Sequence, residues 1–424
     1  MEPKTAAVLL LMLLFSVAPA LRAQQSTAPL PPNTEDTMEA GDDELGRPAR
    51  QLVNWNEYEL KYFTFRFGAG FLYDFIAYSQ DDDSKEQFAL YPEARVRDAR
   101  VLFSGRLKTD RAITWSAGVM YDPPTEQFLI RQTQLMIEVP EIWGHLVIGR
   151  TKEGVSLNKV MVGYSGWTME RATISDATIP ILADGVKWLG YLPKKRLLWN
   201  LGAYWDVFSE GQTFATYDNL VAARVAWLPL LSPTTGDLFH LALNLRYGKP
   251  DEDMLQPRSR PEAFPAPFFV ETERFPARNT KLAGVEAYYR PGPLLVGTEY
   301  FGMDVKAPEN GNPFFHGGDA FVSWLPTGET RVYNTRGGYF DQISPARPVF
   351  QGGPGAWELV ARYSYVDLDS GPLRGGKFCR FTPMVNWHMS DNVRLEFAYG
   401  YGSLDRFNRV GKTQFFQSRV QLQF

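Results

Sequence analysis

Disulfide chemistry, metal chemistry and membrane helices all lack their raw material here. Cys379 is the only cysteine in 424 residues, so no internal disulfide staples the chain. The four histidines, His145, His240, His316 and His388, are scattered and show no metal-ligand spacing. None sits in a Ser–His or Asp–His motif, which leaves a hydrolase without its nucleophile and base. No Gly-rich phosphate loop of the nucleotide-binding kind is present either, so no cofactor is expected. The formal charge of −4 is not that of a polycation and excludes nucleic acid as a partner. Mean hydropathy is −0.27. Past the first residues, no continuous apolar run approaches the roughly 20 residues of a membrane helix.

What is present begins with an export signal. Lys4 supplies a positive start, Ala6–Val17 an apolar run, and Ala18-Pro19-Ala20 a small-x-small cleavage site, with Ala23 as a second candidate. Residues 1–23 read as a signal peptide, cleaved after Ala20 or Ala23. Its removal, with Glu2, Lys4 and Arg22, moves the formal charge to −5. Residues 24–56 are rich in Pro, Ser, Thr, Asp and Glu and poor in aromatics, as expected of a flexible periplasmic segment.

From Glu57 the pattern changes. Short segments alternate strictly between apolar and polar residues, the period of a strand with two different faces. Phe63, Phe65, Phe67, Phe71 and Tyr73 share one phase, and Thr64, Arg66, Gly68, Gly70 and Asp74 the other. Trp357, Leu359, Ala361, Tyr363 and Tyr365 oppose Glu358, Arg362 and Ser364 in the same way. The apolar phase often begins or ends in an aromatic residue, and the opposite phase holds charges and glycines. Those features suit aromatic girdles outside and a watery lumen inside. The chain closes on Val420, Leu422 and Phe424 in the apolar phase, which resembles the assembly signal read by the outer-membrane barrel-assembly machinery. The reading is all-β: residues 57–424 form a transmembrane antiparallel β-barrel of about 16 strands, in contact with outer-membrane lipids. Its segments include 62–74, 96–107, 128–138, 377–388 and 412–424. Short links at 108–111, 139–143, 192–195 and 291–292 fall on the periplasmic side, and long links at 75–95, 153–184 and 248–280 on the other. The long stretch 327–354 falls on the periplasmic side and breaks that rule.

A wide barrel works through pore width and lining charge. Arg66, Arg100, Arg106, Arg224, Arg362, Arg380, Arg394 and Arg419 occupy the polar phase of their strands and are expected in the lumen. They either attract anions or pair with wall carboxylates such as Glu286, Glu358 and Glu396. Lys152, Lys159 and Arg171 lie at or within the long 153–184 link and are candidates for a constriction.

Several blocks resemble the phosphate-selective porin O and P family. They are Ala99-Arg100-Val101 to Gly105-Arg106-Leu107, IGRTKEGVSL at 148–157, GVEAYYRPGPLLVGTEYF within 283–301, Thr327-Gly328-Glu329 with Arg331 and Tyr333, and GAWELVARYSYVDL at 355–368, followed by Asn386-Trp387 and Asn392-Val393-Arg394. The resemblance implies a homotrimeric 16-stranded porin passing small hydrophilic solutes or anions such as phosphate. It also implies that the third and fifth extracellular loops and one long periplasmic turn fold inward. A general porin, or a closed barrel acting as an envelope scaffold or tether, would use the same fold.

Overall fold

The computed structural model describes residues 56–123, 126–207, 217–232 and 235–424. The expected signal peptide and all but the last residue of the 24–56 segment lie outside these ranges. Sixteen strands form the wall: β1 Thr64–Gln80, β2 Glu93–Leu107, β3 Ile113–Asp122, β4 in two pieces (Gln127–Ile130 and Thr133–Val139), β5 Gly144–Thr151, β6 Ala183–Leu192, β7 Leu197–Trp205 and β8 Tyr217–Leu231. They continue as β9 Leu238–Pro250, β10 Asn279–Arg290, β11 Leu294–Lys306, β12 Phe314–Trp324, β13 Ala356–Ser370, β14 Leu373–His388, β15 Val393–Arg406 and β16 Arg409–Gln423. Neighbours in sequence pair antiparallel, and β1 pairs with β16 from Gly70↔Gln423 to Gln80↔Thr413, which closes the barrel. Closure leaves no unpaired edge for lipid to meet, which a spanning sheet requires.

The alternation places each phase as its chemistry demands. Val119, Leu135, Ile148, Val225, Leu243, Val285, Phe397 and Phe416 point outward and are exposed, while Arg224, Glu286, Glu299, Glu358, Arg380 and Glu396 point inward and are buried. Among the described residues no helix is long and apolar enough to cross a membrane. Phe424 ends the last strand, with its backbone N–H donating to Ala69. Beyond that point the short strand Glu57–Glu59 takes over pairing with the start of β1.

Three connections turn into the barrel. Loop L3 (152–182) enters at Gly154, whose φ of +91° and contact with Asn200 leave no room for a Cβ. It carries a helical turn, α1 (Leu157–Val160), and a short helix, α2 (Thr173–Thr178). Loop L5 (251–278) folds on itself through two small ribbons, Met254–Leu255 with Phe275–Pro276 and Arg258–Ser259 with Val270–Glu271. The long periplasmic turn T6 (325–355) contains the ribbon Tyr333–Asn334 with Tyr339–Phe340. The anomalous periplasmic stretch is therefore a real turn that folds back inside, with Arg331, Tyr333, Tyr339 and Phe340 all buried.

These segments fill one side of the lumen. The upper apolar cluster gathers Ala263, Phe269 and Phe275 of L5 against Phe301, Phe315, Phe378 and Phe415 of the wall. The lower cluster gathers Leu157 and Trp167 of L3 and Phe340 of T6 against Tyr288 and Phe321. Their buried wall residues come from β7 through β16 and from β1, and Ala183 and Tyr191 of β6 pack against them. The inward face of β4–β6 carries a small apolar cluster of its own, Met136, Val147 and Leu189, while β2 and the gap in β4 carry Asp98, Arg100 and Arg131.

Candidate functional site

The wall arginines expected in the lumen are there, and most are engaged. Arg224 makes a forked pair with Glu286 at 2.7 Å and also donates to the Gly337 and Gly338 carbonyls of T6. Arg362 pairs with Glu262 of L5 and donates to Thr168 of L3 at 2.9 Å. Arg380 donates to Gln417 and to the Pro261 and Glu262 carbonyls of L5. Arg394 pairs with Glu396 and donates to the Gly166 carbonyl of L3. Arg419 pairs with Asp74 at 2.6 Å and with Glu170 of L3 at 2.6 Å. Arg66 is buried near the periplasmic end, and Arg106 is half-buried beside it. Arg224, Arg362, Arg380, Arg394 and Arg419 each bind an inward segment to the wall.

The loop candidates tie L3 to itself. Lys152 donates to the Val160 and Met161 carbonyls at 2.9 and 2.6 Å. Arg171 donates to the Asn158 and Met161 carbonyls at 3.0 and 3.2 Å. Lys159 reaches Asp176 at 3.3 Å. Burial pushes the Lys159 amine below its ordinary value, with Asp176 opposing. Burial likewise raises the Glu153 carboxyl, in spite of Arg246 beside it.

A different set runs from L5 along β2 to the gap in β4. From the L5 tip inward, Arg258 stacks over Phe268 at 4.4 Å, and Arg260 over Phe268 at 4.6 Å. Arg260 and Arg95 then flank Phe264 at 5.5 and 5.6 Å, and Arg97 lies over the same ring at 4.3 Å. Arg100 stacks over Tyr164 of L3 at 4.5 Å, and the field of Arg100 and Tyr164 reaches Arg131 in the gap of β4. Each ring offers its negative face to a guanidinium and holds it in place without neutralising it. The six arginines face four paired carboxylates: Glu271 with Arg258, Glu93 with Arg95, Glu170 with Arg97, and Asp98 with Arg100. Arg131 makes no side-chain hydrogen bond to the described residues, and Asp98, already paired with Arg100, is the carboxylate whose field reaches it. Burial alone would raise the Glu170 carboxyl, but Arg97 and Arg419 override it and hold it well below the usual range. That carboxylate clasps L3 to the ladder.

Arg97 and Arg131 both sit where strands are irregular. Between β1 and β2 the register jumps from Leu72↔Asp98 to Tyr73↔Val96, so Arg97 is the extra residue of a bulge. Arg131 and Gln132 separate the two pieces of β4. Regular alternation assigns Arg97 to the lipid side, and reading 128–138 as one strand hides the gap. Among the described residues no group of three His, Cys, Asp or Glu side chains is placed to hold a metal ion.

Residues 64–424 match the family model described as phosphate-selective porin O and P. The chain belongs to that family. Porin O of Pseudomonas aeruginosa is 26% identical over 134 residues, which cover 29% of this chain and 30% of that one. An uncharacterized protein of Caulobacter vibrioides is 31% identical over 131 residues, covering 31% and 26%. The matched stretches span less than a third of either relative. Among solved structures, the anion-selective porin from Comamonas acidovorans aligns with a TM-score of 0.52 at 12% identity, over 85% of this chain and all of that one. Salmonella typhi OmpF aligns with a TM-score of 0.55 at 10% identity, over 87% of this chain and all of that one. At such identities the likeness shows the barrel fold. The chain is a bacterial outer-membrane barrel of the porin O and P family, and its three inward segments are those the family resemblance implies.

Proposed function

We propose that this porin passively conducts small hydrophilic solutes across the outer membrane and favours anions, phosphate among them. The observation that carries this reading is the arginine–aromatic ladder that runs from L5 along β2. Its guanidinium groups are spaced, held by ring faces, and more numerous than the carboxylates beside them. An anion entering at L5 meets successive forked donors and is never trapped at one of them. Bond-making has no part in this role.

A homotrimer fits the shape of the wall. Strands β3 and β5–β7 run only 8 to 10 residues, and the pieces of β4 are 4 and 7, while β8–β16 run 11 to 16. The low side, with Val119, Phe128, Ile130 and Leu135 exposed, is the natural face for neighbouring copies. Planar-bilayer recording of the purified protein in chloride, with and without phosphate, tests the proposal. Steps in multiples of three that shrink with millimolar phosphate support it. Steps indifferent to phosphate remove the phosphate claim, and no steps from folded protein remove the channel.

A further inference from the structure

L3 is held from both of its ends and also from below. Wall carboxylates Glu286 and Glu358 each bind L3 directly or through a neighbour; Glu286 also binds Arg224, which grips T6, and Glu358 binds Arg331 of T6 itself. Glu286 accepts the backbone N–H of Leu157 at the start of α1, 3.0 Å away, and pairs with Arg224, which holds the T6 carbonyls of Gly337 and Gly338. Glu358 accepts Arg331 of T6 through two nitrogens at 2.8 and 3.0 Å. Asn386 donates to Glu358 at 2.8 Å and to the Trp167 carbonyl of L3 at 2.9 Å.

Arg331 is the junction. One of its nitrogens donates to the Ser165 carbonyl of L3 at 2.7 Å and to the Asp341 carbonyl of T6 at 3.1 Å. Its guanidinium lies 5.6 Å from the Trp167 ring, and that ring stacks on Phe321 at 4.3 Å and meets Phe340 of T6 edge-on. Arg331 is 1% exposed and Glu358 fully buried, so neither acts as a surface charge. His388 and Ser323 complete the shell of Glu358 at 3.2 and 2.5 Å. A second clasp, Tyr333 to His240 at 2.7 Å, fixes the T6 ribbon to β9.

We propose that T6 is a strap that sets the pore's width from the periplasmic side, with Arg331 and Glu358 positioning L3 rather than touching solute. L3 carries Tyr164 and Glu170, which stack against Arg100 and pair with Arg97, so the position of L3 sets where the ladder stands in the lumen and how much of the cross-section stays open. An extracellular loop and a periplasmic turn thus share one buried ion pair. Anything that moves T6 moves the constriction. The inference rests on the channel reading.

The test uses the full mature protein in planar bilayers, comparing Arg331→Leu, Arg331→Lys and the exchanged pair Arg331→Glu with Glu358→Arg. Because conductance follows the open cross-section, Arg331→Leu raises the single-channel step by roughly 1.5-fold or more and adds current flicker. The exchanged pair restores part of the quiet wild-type step, which a merely destabilised barrel would not do. Should Arg331→Leu fail to fold, Arg331→Lys decides: it keeps the charge but cannot span Ser165, Asp341 and Glu358 together. A raised, noisier step there supports the strap. Wild-type conductance and noise in a folded Arg331 variant overturns it. Selectivity separates the two readings, since a wild-type channel without anion preference refutes the ladder and leaves the width test intact.

Discussion

Neutralising Arg131 is expected to cost the channel most of its anion preference without loosening the barrel. A charge about 5 Å from a passing ion in a watery conduit is worth about 0.8 kcal/mol. Screening at a Debye length of about 10 Å cuts this to about 0.5 kcal/mol. In Arg131→Gln the anion loses that attraction and the cation loses the equal repulsion, so the permeability ratio shifts by about 1 kcal/mol, or about fivefold. Arg131→Glu doubles the change, to about 25-fold. Zero-current potentials in a salt gradient read the ratio directly. Arg394→Gln is the control, because Arg394 is spent on Glu396 and the Gly166 carbonyl, away from the ladder. Its loss should show as lowered stability with little change in selectivity. A folded Arg131→Gln channel with wild-type potential, or an equal shift in Arg394→Gln, would refute the assignment of the conduit to the arginine ladder of β2 and β4.

Other consequences follow from the same contacts. Glu358→Ala leaves Arg331 buried beside His388 without its anion and should lower stability by about 3–5 kcal/mol, read by urea unfolding of the heat-modifiable barrel. Trp167→Ala empties the stack on Phe321 at a cost of about 3–5 kcal/mol and should make single-channel current noisier, while a quiet channel would show that L3 is held by its polar bonds alone. Glu170 is held below its ordinary range, so its clasp on Arg97 is complete above the unfolded value of about 4.3 and is lost only as pH falls through the lower folded one. Selectivity should therefore hold from neutral pH down to about 4, and a midpoint in that window would contradict the clasp. Deleting Phe424 removes the last outward aromatic and its bond to Ala69, and should reduce assembled barrel in cells more than the refolded yield in detergent.

The wall was legible because period 2 needs no tertiary information: a lipid face and a water face impose it on every strand. The expected segments stop short mainly at the extracellular ends. β1 runs to Gln80 where 74 is expected, and β14 begins at Leu373 where 377 is expected. There the outward phase changes from aromatic to charged, with Asp367, Lys377, Asp405 and Lys412, and the pattern fades although hydrogen bonding continues. The ladder was less legible because two of its members depend on broken alternation. In 128–137 the outward residues pass from Phe128 and Ile130 to Leu135 and Ile137, an even-to-odd slip that marks the gap holding Arg131. For Arg97 the signal is fainter, since its bulge appears only in the pairing with β1. Wall-to-wall partners were readable, as in Arg224 with Glu286 and Arg394 with Glu396, but those on the inward segments were not. Arg362 meets Glu262, and Arg331 meets Glu358, only because L5 and T6 fold inward.

The most direct measurement is the zero-current potential of the wild-type protein in a potassium chloride gradient across a planar bilayer. A potential displaced toward the chloride equilibrium value is expected, reporting a conduit lined by Arg95, Arg97, Arg100 and Arg131. A potential displaced toward potassium would contradict it, because the ladder would then be either outside the ion path or neutralised within it.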